Sequence, residues 1–425
     1  MLTLLIMLTI VTALSGLALL AGAKISRPDL ARLTGSALVM LFVLTMVLQP
    51  GVVFAGAVAG LKTWWNIVFP SLLPFFIASE LLIGFGIVNF MGVLLEPVMR
   101  PLFNVPGSGS FVMAMGYSSG YPIGAMITAR LRDEGQCTRL EAQRLLAFTN
   151  NSSPLFMLVA VPVGMFNNPS LGYIIAGAHY LANLTLGLLL RFYGRRDPEA
   201  ARRPKAPEGT LFRRAVREML RVQREEQRPP GKILGDAVRN AVNNLLNIGG
   251  FIILFSVIIQ LLTTYGCIDL LAGLLGAMLV PLGFNPELLN AIACGLFEMT
   301  TGTRMIAEAA VPLTQQLIAV AIILAWSGLS IQAQVASMIA RTDLRMLPFV
   351  LTRLAHGVLA AVYTMIMLRC ANLAGTVTAR DYEPVLHSLW PYINFNLSLS
   401  LGVFLGLLLL ALLTGLGRGI RGIIK

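Results

Sequence analysis

Apolar residues in this chain alternate with polar ones at neither the strand nor the helix period; they run on in stretches of about 18 or more, long enough for an α-helix to cross a bilayer. Continuous spans are predicted at residues 35–58, 64–90, 170–190, 240–262, 346–370 and 395–417, with residues 1–23 forming a first span. Four further segments are apolar but broken. Residues 108–135 and 288–311 carry Gly, Ser, Thr and Pro at their middles, as expected of re-entrant hairpins. Residues 139–165 and 314–341 are long enough to cross yet hold polar interruptions, Asn150-Asn151-Ser152-Ser153-Pro154 in one and Ser327-Gly328-Leu329-Ser330 in the other. They are predicted to be discontinuous helices. The expectation is an all-α polytopic membrane protein.

Composition supports this reading. The 425 residues are 56% hydrophobic and only 12% charged, about half the charge of a soluble domain, and the mean hydropathy is +0.77. A soluble enzyme and a nucleic-acid-binding domain are both excluded. The formal charge of +12 is largely local, because residues 191–232 hold 13 Lys/Arg against 6 Asp/Glu. Basic loops stay cytoplasmic. Lys24, Arg27 and Arg32 follow the first apolar stretch instead of preceding it, which argues for a retained span over a cleaved signal peptide and puts the N-terminus outside. With that orientation every basic cluster falls inside, the C-terminal Arg418, Arg421 and Lys425 included, for nine crossings and two hairpins. Cys137, Cys267, Cys294 and Cys370 have no ligand or redox spacing and read as small hydrophobes.

The two halves share one order: span, hairpin, broken helix, span. Beginning on opposite sides of the membrane, they form inverted repeats. Gly116 aligns with Gly295, Gly124 with Gly302 and Ser153 with Ser330. The expected organisation is residues 1–60 as two N-terminal transmembrane helices, 61–192 as the first repeat, 193–235 as a basic cytoplasmic loop, 236–372 as the second, inverted repeat, and 373–425 as an external loop and last helix. Paired discontinuous elements are the architecture of secondary transporters, whose substrate sits at the midplane. Helix-packing glycines are the bland alternative.

Candidate binding residues are Ser118, Ser119, Gly120 and Tyr121 at the first hairpin tip, Asn150, Asn151, Ser152 and Ser153 at the first helix break, Glu298, Thr300, Thr301 and Arg304 in the second hairpin, and Ser327 and Ser330 at the second break. Glu298 and Arg304 are ionisable groups at membrane depth, each costing about 2.5–3.5 kcal/mol on insertion scales. A mutual neutral pair that holds the hairpin is their structural alternative. Arg304 suits a carboxylate, and Glu298 or Glu80 a coupled proton or cation. His179, His356 and Arg353 are left outside the site, as is His387. Gly116-Tyr117-Ser118-Ser119-Gly120 matches the hydrolase elbow pattern, but that elbow needs a strand entering a helix, so no enzyme is expected. Neither cofactor nor metal is expected. The predicted partners are a small-molecule anion and the lipid bilayer, with no nucleic acid and a homo-oligomer left open.

The wording of four segments, Phe103-Asn104-Val105-Pro106-Gly107, the stretch from Ala114 to Ala125, Thr128-Ala129-Arg130-Leu131-Arg132, and Phe148 to Phe156, resembles the sporulation integral membrane protein YlbJ (SpoVV) family. Those motifs cover residues 103–160. That family carries nucleoside-recognition Gate repeats and is similar in layout to concentrative nucleoside transporters. The resemblance implies movement of dipicolinic acid across the outer forespore membrane, with substrate held between two hairpin tips and two unwound helices. Two departures stand out: the second repeat has Trp326-Ser327-Gly328-Leu329-Ser330 in place of Asn-Ser-Ser-Pro, and the Arg-rich stretch matches no motif.

Overall fold

Proline and glycine divide the apolar runs into shorter helices than hydropathy alone predicts. The computed structural model describes residues 27–194 and 210–373; the expected spans at 1–23 and 395–417, and His387, lie outside them. The expected span at 35–58 is two helices, α1 (Arg27–Leu48) and α2 (Pro50–Thr63). Pro50 opens α2, where a missing N–H costs nothing. The expected span at 64–90 is also corrected. A π-turn at Trp64–Val68 leads into α3 (Phe69–Gly84), and the chain then bends by 79° into α4 (Ile87–Phe103).

The first broken region follows as α5 (Gly109–Ser119), α6 (Ile123–Asp133) and α7 (Arg139–Thr149), then an extended stretch and a π-turn at Phe156–Ala160. α7 starts on a capping box, Thr138 Oγ1 accepting from Glu141 N at 3.2 Å and Glu141 Oε2 accepting from Thr138 N at 2.9 Å. It stops where Pro154 forbids continuation. α8 (Leu171–Leu190) crosses back, and α9 (Leu211–Glu225) lies before the long α10 (Pro230–Thr264).

α11 (Cys267–Leu279), α12 (Leu289–Phe297), α13 (Met299–Glu308), α14 (Leu313–Trp326), α15 (Gly328–Ile339) and α16 (Met346–Leu373) complete the described chain. One turn occurs twice: Gly86 (φ 70°, ψ 11°) joins α3 to α4, and Gly266 (φ 69°, ψ 10°) joins α10 to α11. Among the described residues there is no strand, and five helices are long and apolar enough to cross a membrane: Pro50–Val68, Leu171–Leu190, Pro230–Thr264, Leu313–Ile339 and Met346–Cys370. The bent α3–α4 pair makes a sixth if counted as one span. α10 has 35 residues, about 52 Å of helix, so its polar first turns extend past the hydrocarbon.

Burial separates centre from periphery. The α14–α15 window is 72% buried, against 28% for Pro50–Val68, so the broken helix is central and α2 peripheral. α2 is held by α10 through a small-residue face. A methyl group at Gly56 would lie 3.0 Å from Val257 Cα, and one at Gly60 2.9 Å from Ile253 Cα. Trp64 closes the contact, its indole N–H donating to Leu245 O at 2.9 Å.

Candidate functional site

Each hairpin tip presses on a helix break. At the first tip Gly120 (φ 79°, ψ −163°) follows α5, and a Cβ there would stand 2.6 Å from Ser153 N. At the second break Gly328 (φ 75°) lies so close to the second tip that a Cβ would stand 3.0 Å from Met299 N and 3.1 Å from Phe297 O. Both glycines combine positive φ with backbone on the other side, so only hydrogen fits. The hairpin walls are glycine-lined as well: a methyl at Gly116 would collide with the Thr149 carbonyl, and one at Gly302 with Gly295 Cα. Two side-chain bonds extend these contacts. Tyr121 donates to Leu324 O at 3.1 Å, tying the first tip to α14, and Trp326 Nε1 donates to Leu296 O at 3.0 Å, tying α14 to the second hairpin.

Asn150, Asn151, Ser152, Ser153, Ser327 and Ser330 are all buried. Ser327 holds a left-handed φ of 70°, uncommon for a residue with a Cβ, and its hydroxyl bonds Trp326 O at 2.5 Å. Ser153 Oγ accepts from Phe156 N at 3.1 Å. Ser118 lies in the last turn of α5 and donates to Met115 O at 3.2 Å, with Ser119 buried beside it; the elbow-like pattern is thus helical.

The second hairpin separates its two charges. Glu298, 2% exposed, caps α13 by accepting from Thr300 N at 2.9 Å and Thr301 N at 2.6 Å. Arg304 is half-buried and stands 3.8 Å from Glu308, one turn further along. Thr300 is buried, and Thr301 Oγ1 is 3.3 Å from Ser256 Oγ of α10. Glu80 accepts from Asn240 Nδ2 of the facing α10 at 3.0 Å.

A polar cluster that the sequence left aside lies against the first break. Arg353 of α16, 0% exposed, donates to Ala147 O, to Asn150 O at 3.0 Å and to His356 Nδ1 at 3.3 Å. Arginine has only donors, so His356 carries its proton on Nε2, which donates to His179 O at 3.0 Å. Ser152 N in turn donates to His179 Nε2 at 3.4 Å. Asn183 Nδ2 reaches Tyr117 Oη at 2.6 Å, and the Tyr117 ring stacks on Tyr180 at 5.3 Å between centroids. Both amide atoms of Asn150, Ser152 Oγ, His179 Nδ1 and Asn183 Oδ1 are buried with no hydrogen-bond partner. Buried polar atoms are ordinarily satisfied; with Asn151 Oδ1 these exceptions concentrate at the first break, while Thr303 Oγ1 and Arg304 Nε in the second hairpin are in the same condition. The one sequence signal was an Arg and a His three apart on an apolar helix, facing the core.

At the end of the molecule where α6 and α15 finish, Arg132 forks onto Asp343, and its hydrogen bonds hold that carboxyl below the usual aspartate range. Gln143 and Arg345 bond each other's main chain or side chain at 2.9 and 3.1 Å. α9 rests on α4 through Arg214–Glu96 (2.5 Å) and an edge contact of Phe212 on Phe90.

Comparison with known proteins gives a consistent picture. A family model described as "Gate: nucleoside recognition" matches residues 66–170 and again 245–342. The sporulation integral membrane protein YlbJ of Bacillus subtilis (strain 168) is 50% identical over 323 residues, covering 76% of this chain and 79% of that protein. An uncharacterized protein of Alkalihalophilus pseudofirmus is 32% identical over 99 residues, 23% of this chain and 20% of its own. No solved structure matches.

Proposed function

The chain belongs to the family of the sporulation integral membrane protein YlbJ, and from that premise we propose that it moves a small organic anion across a membrane by alternating access. The observation that carries this reading is the twice-made pairing of hairpin tip and helix break, Gly120 on Ser153 and Met299 on Gly328. Broken backbone inside a bilayer persists only where protein or a wet cavity satisfies it, and in inverted-repeat transporters such breaks hold the substrate. The double match of one family model and the twin turns at Gly86 and Gly266 support two related halves. We take them as inverted repeats with re-entrant hairpins and a concentrative-nucleoside-transporter-like layout.

Dipicolinic acid, the substrate implied by the family resemblance, suits the residues present. A planar pyridine with two carboxylates needs a cation, several donors and an aromatic wall, for which the first break and its tyrosines are suited. On the same basis we place the protein in the outer forespore membrane during sporulation, with its N-terminus outside and its C-terminus cytoplasmic. Proteoliposomes holding the purified protein are expected to take up dipicolinate faster than empty vesicles; equal rates would overturn the proposal. The nucleoside-recognition description of the matching model favours a second reading, a cation-coupled nucleoside carrier, and uridine uptake without dipicolinate uptake would establish it. No flux of either would favour a membrane scaffold.

A further inference from the structure

We propose that Arg353 and the Nδ1–H of His179, and not Arg304, supply the charge and the donor that take a carboxylate of the transported anion at the first helix break. This rests on the anion-transport reading above and names the residues that give it its specificity.

Among the described residues two arginines are almost fully buried, and they are used differently. Arg144, 2% exposed, spends its Nε on Tyr193 O at 2.9 Å, Nη1 on Asn104 O at 2.6 Å and Nη2 on Tyr193 O and Gly194 O. All its nitrogens are occupied by carbonyls, so its task is to bind loops together. Arg353 donates to Ala147 O, Asn150 O and His356, lies beside the Tyr121 hydroxyl and over the Phe349 ring, and its Nε–H has no acceptor. No Asp or Glu among the described residues forms an ion pair with it; the acidic groups facing it are the hydroxyls of Tyr121 and Tyr117. The carbonyls are those at the C-terminus of α7, where a helix offers about half a negative charge. A full positive charge in a membrane segment is thus only partly offset, and such charges mark substrate or ion paths.

The neighbouring donors point to the same guest. Because Ser152 N donates to His179 Nε2, a neutral His179 carries its proton on Nδ1, and that atom is buried without an acceptor. Asn150 Nδ2 and Ser152 Oγ are in the same condition. A carboxylate offers about four lone-pair sites and one negative charge, which matches several free donors around one partly offset cation. A neutral nucleoside would leave the charge as it stands. The Nε–H of Arg304 also lacks an acceptor, but Arg304 is 32% exposed, has the Glu308 carboxylate at 3.8 Å and lies six residues, about 9 Å, beyond the tip residue Glu298.

The test uses the full chain, purified and reconstituted, with dipicolinate as probe. His179→Gln retains an acceptor for Ser152 N while removing the Nδ1–H, so its melting temperature is expected to match the wild type while dipicolinate affinity falls about tenfold. Arg353→Gln is expected to lose dipicolinate-induced thermal stabilisation and flux, with Arg353→Lys recovering part of both. The loss in Arg353→Gln is expected to exceed that in Arg304→Gln by at least tenfold. Wild-type flux retained by Arg353→Gln and His179→Gln but lost by Arg304→Gln overturns the inference and leaves anion transport standing. Failure of the wild type to bind or carry dipicolinate removes the transport reading and the inference with it.

Discussion

Arg132 and Asp343, 211 positions apart, meet as a two-pronged pair, Nε to Oδ1 at 2.9 Å and Nη2 to Oδ2 at 2.7 Å, joining α6 to the turn between α15 and α16. The planar fork makes the contact specific. Asp343 is 45% exposed, so solvent screens the pair and its contribution is at most about 1 kcal/mol. Its carboxyl is held below the ordinary 3.8 by the Arg132 hydrogen bonds. A depressed folded pKa stabilises above the unfolded value and the effect fades as pH falls through the folded one. Asp343→Asn is therefore expected to lower the melting temperature slightly at pH 7, with the difference from wild type shrinking below pH 4. A gap that widens on acidification would contradict the pairing.

Gly120 is expected to tolerate no side chain. Its φ of 79° with ψ of −163° is open to glycine alone, and a Cβ would stand 2.6 Å from Ser153 N, which is backbone and cannot step aside. Gly120→Ala should cost about 3 kcal/mol from strain and overlap together. Gly231, with open space around it in the first turn of α10, is the control: Gly231→Ala should be neutral or stabilise by a few tenths of a kcal/mol. Thermal unfolding of both variants in detergent checks the contrast, and equal melting temperatures would show that the tip does not press on the break.

Those contacts explain what was legible beforehand. Asn150-Asn151-Ser152-Ser153-Pro154 and Ser327-Gly328 announce helix breaks because proline and short polar residues cannot sit in an apolar run without a reason, and both break as read. The 79° bend at Phe85-Gly86 was hidden, since hydropathy averages over a turn flanked by apolar residues on both sides. Glu298 and Arg304 were visible as charges, but whether they pair depends on side-chain direction: Glu298 turns back to cap its own helix and Arg304 forward to Glu308. Arg353 and His179 were visible too, yet their meeting needs α16 and α8 to pack beside α7, a tertiary fact that no local pattern carries.

Glu298 is expected to act first as a cap. Two backbone N–H groups at the start of α13 depend on its carboxyl oxygens, and loss of such a cap costs about 1–2 kcal/mol. Glu298→Ala should lose that amount, and Glu298→Gln, with one acceptor oxygen left, about half. If capping is its whole role, Glu298→Gln retains substrate flux and the pH dependence of that flux. Flux abolished in Glu298→Gln without a fall in melting temperature would instead make Glu298 the ion-coupling group.

The orientation can be checked on α9, whose docking on α4 through Arg214–Glu96 and Gln223 Nε2 to Phe85 O at 3.0 Å fixes one exposed face. That face carries Arg213, Arg217 and Arg224 around Leu220 and a Phe212 that is 62% exposed. Arginines beside membrane spans remain on the cytoplasmic side, where anionic lipid attracts them by about 1 kcal/mol each. A cysteine at Leu220, with Cys267 and Cys370 replaced by Ser to remove the accessible native thiols, should react with an impermeant maleimide in inside-out vesicles and stay unlabelled in right-side-out ones. The reverse pattern would invert the whole topology, since the basic loop is the strongest charge marker in the chain and every span is counted from it.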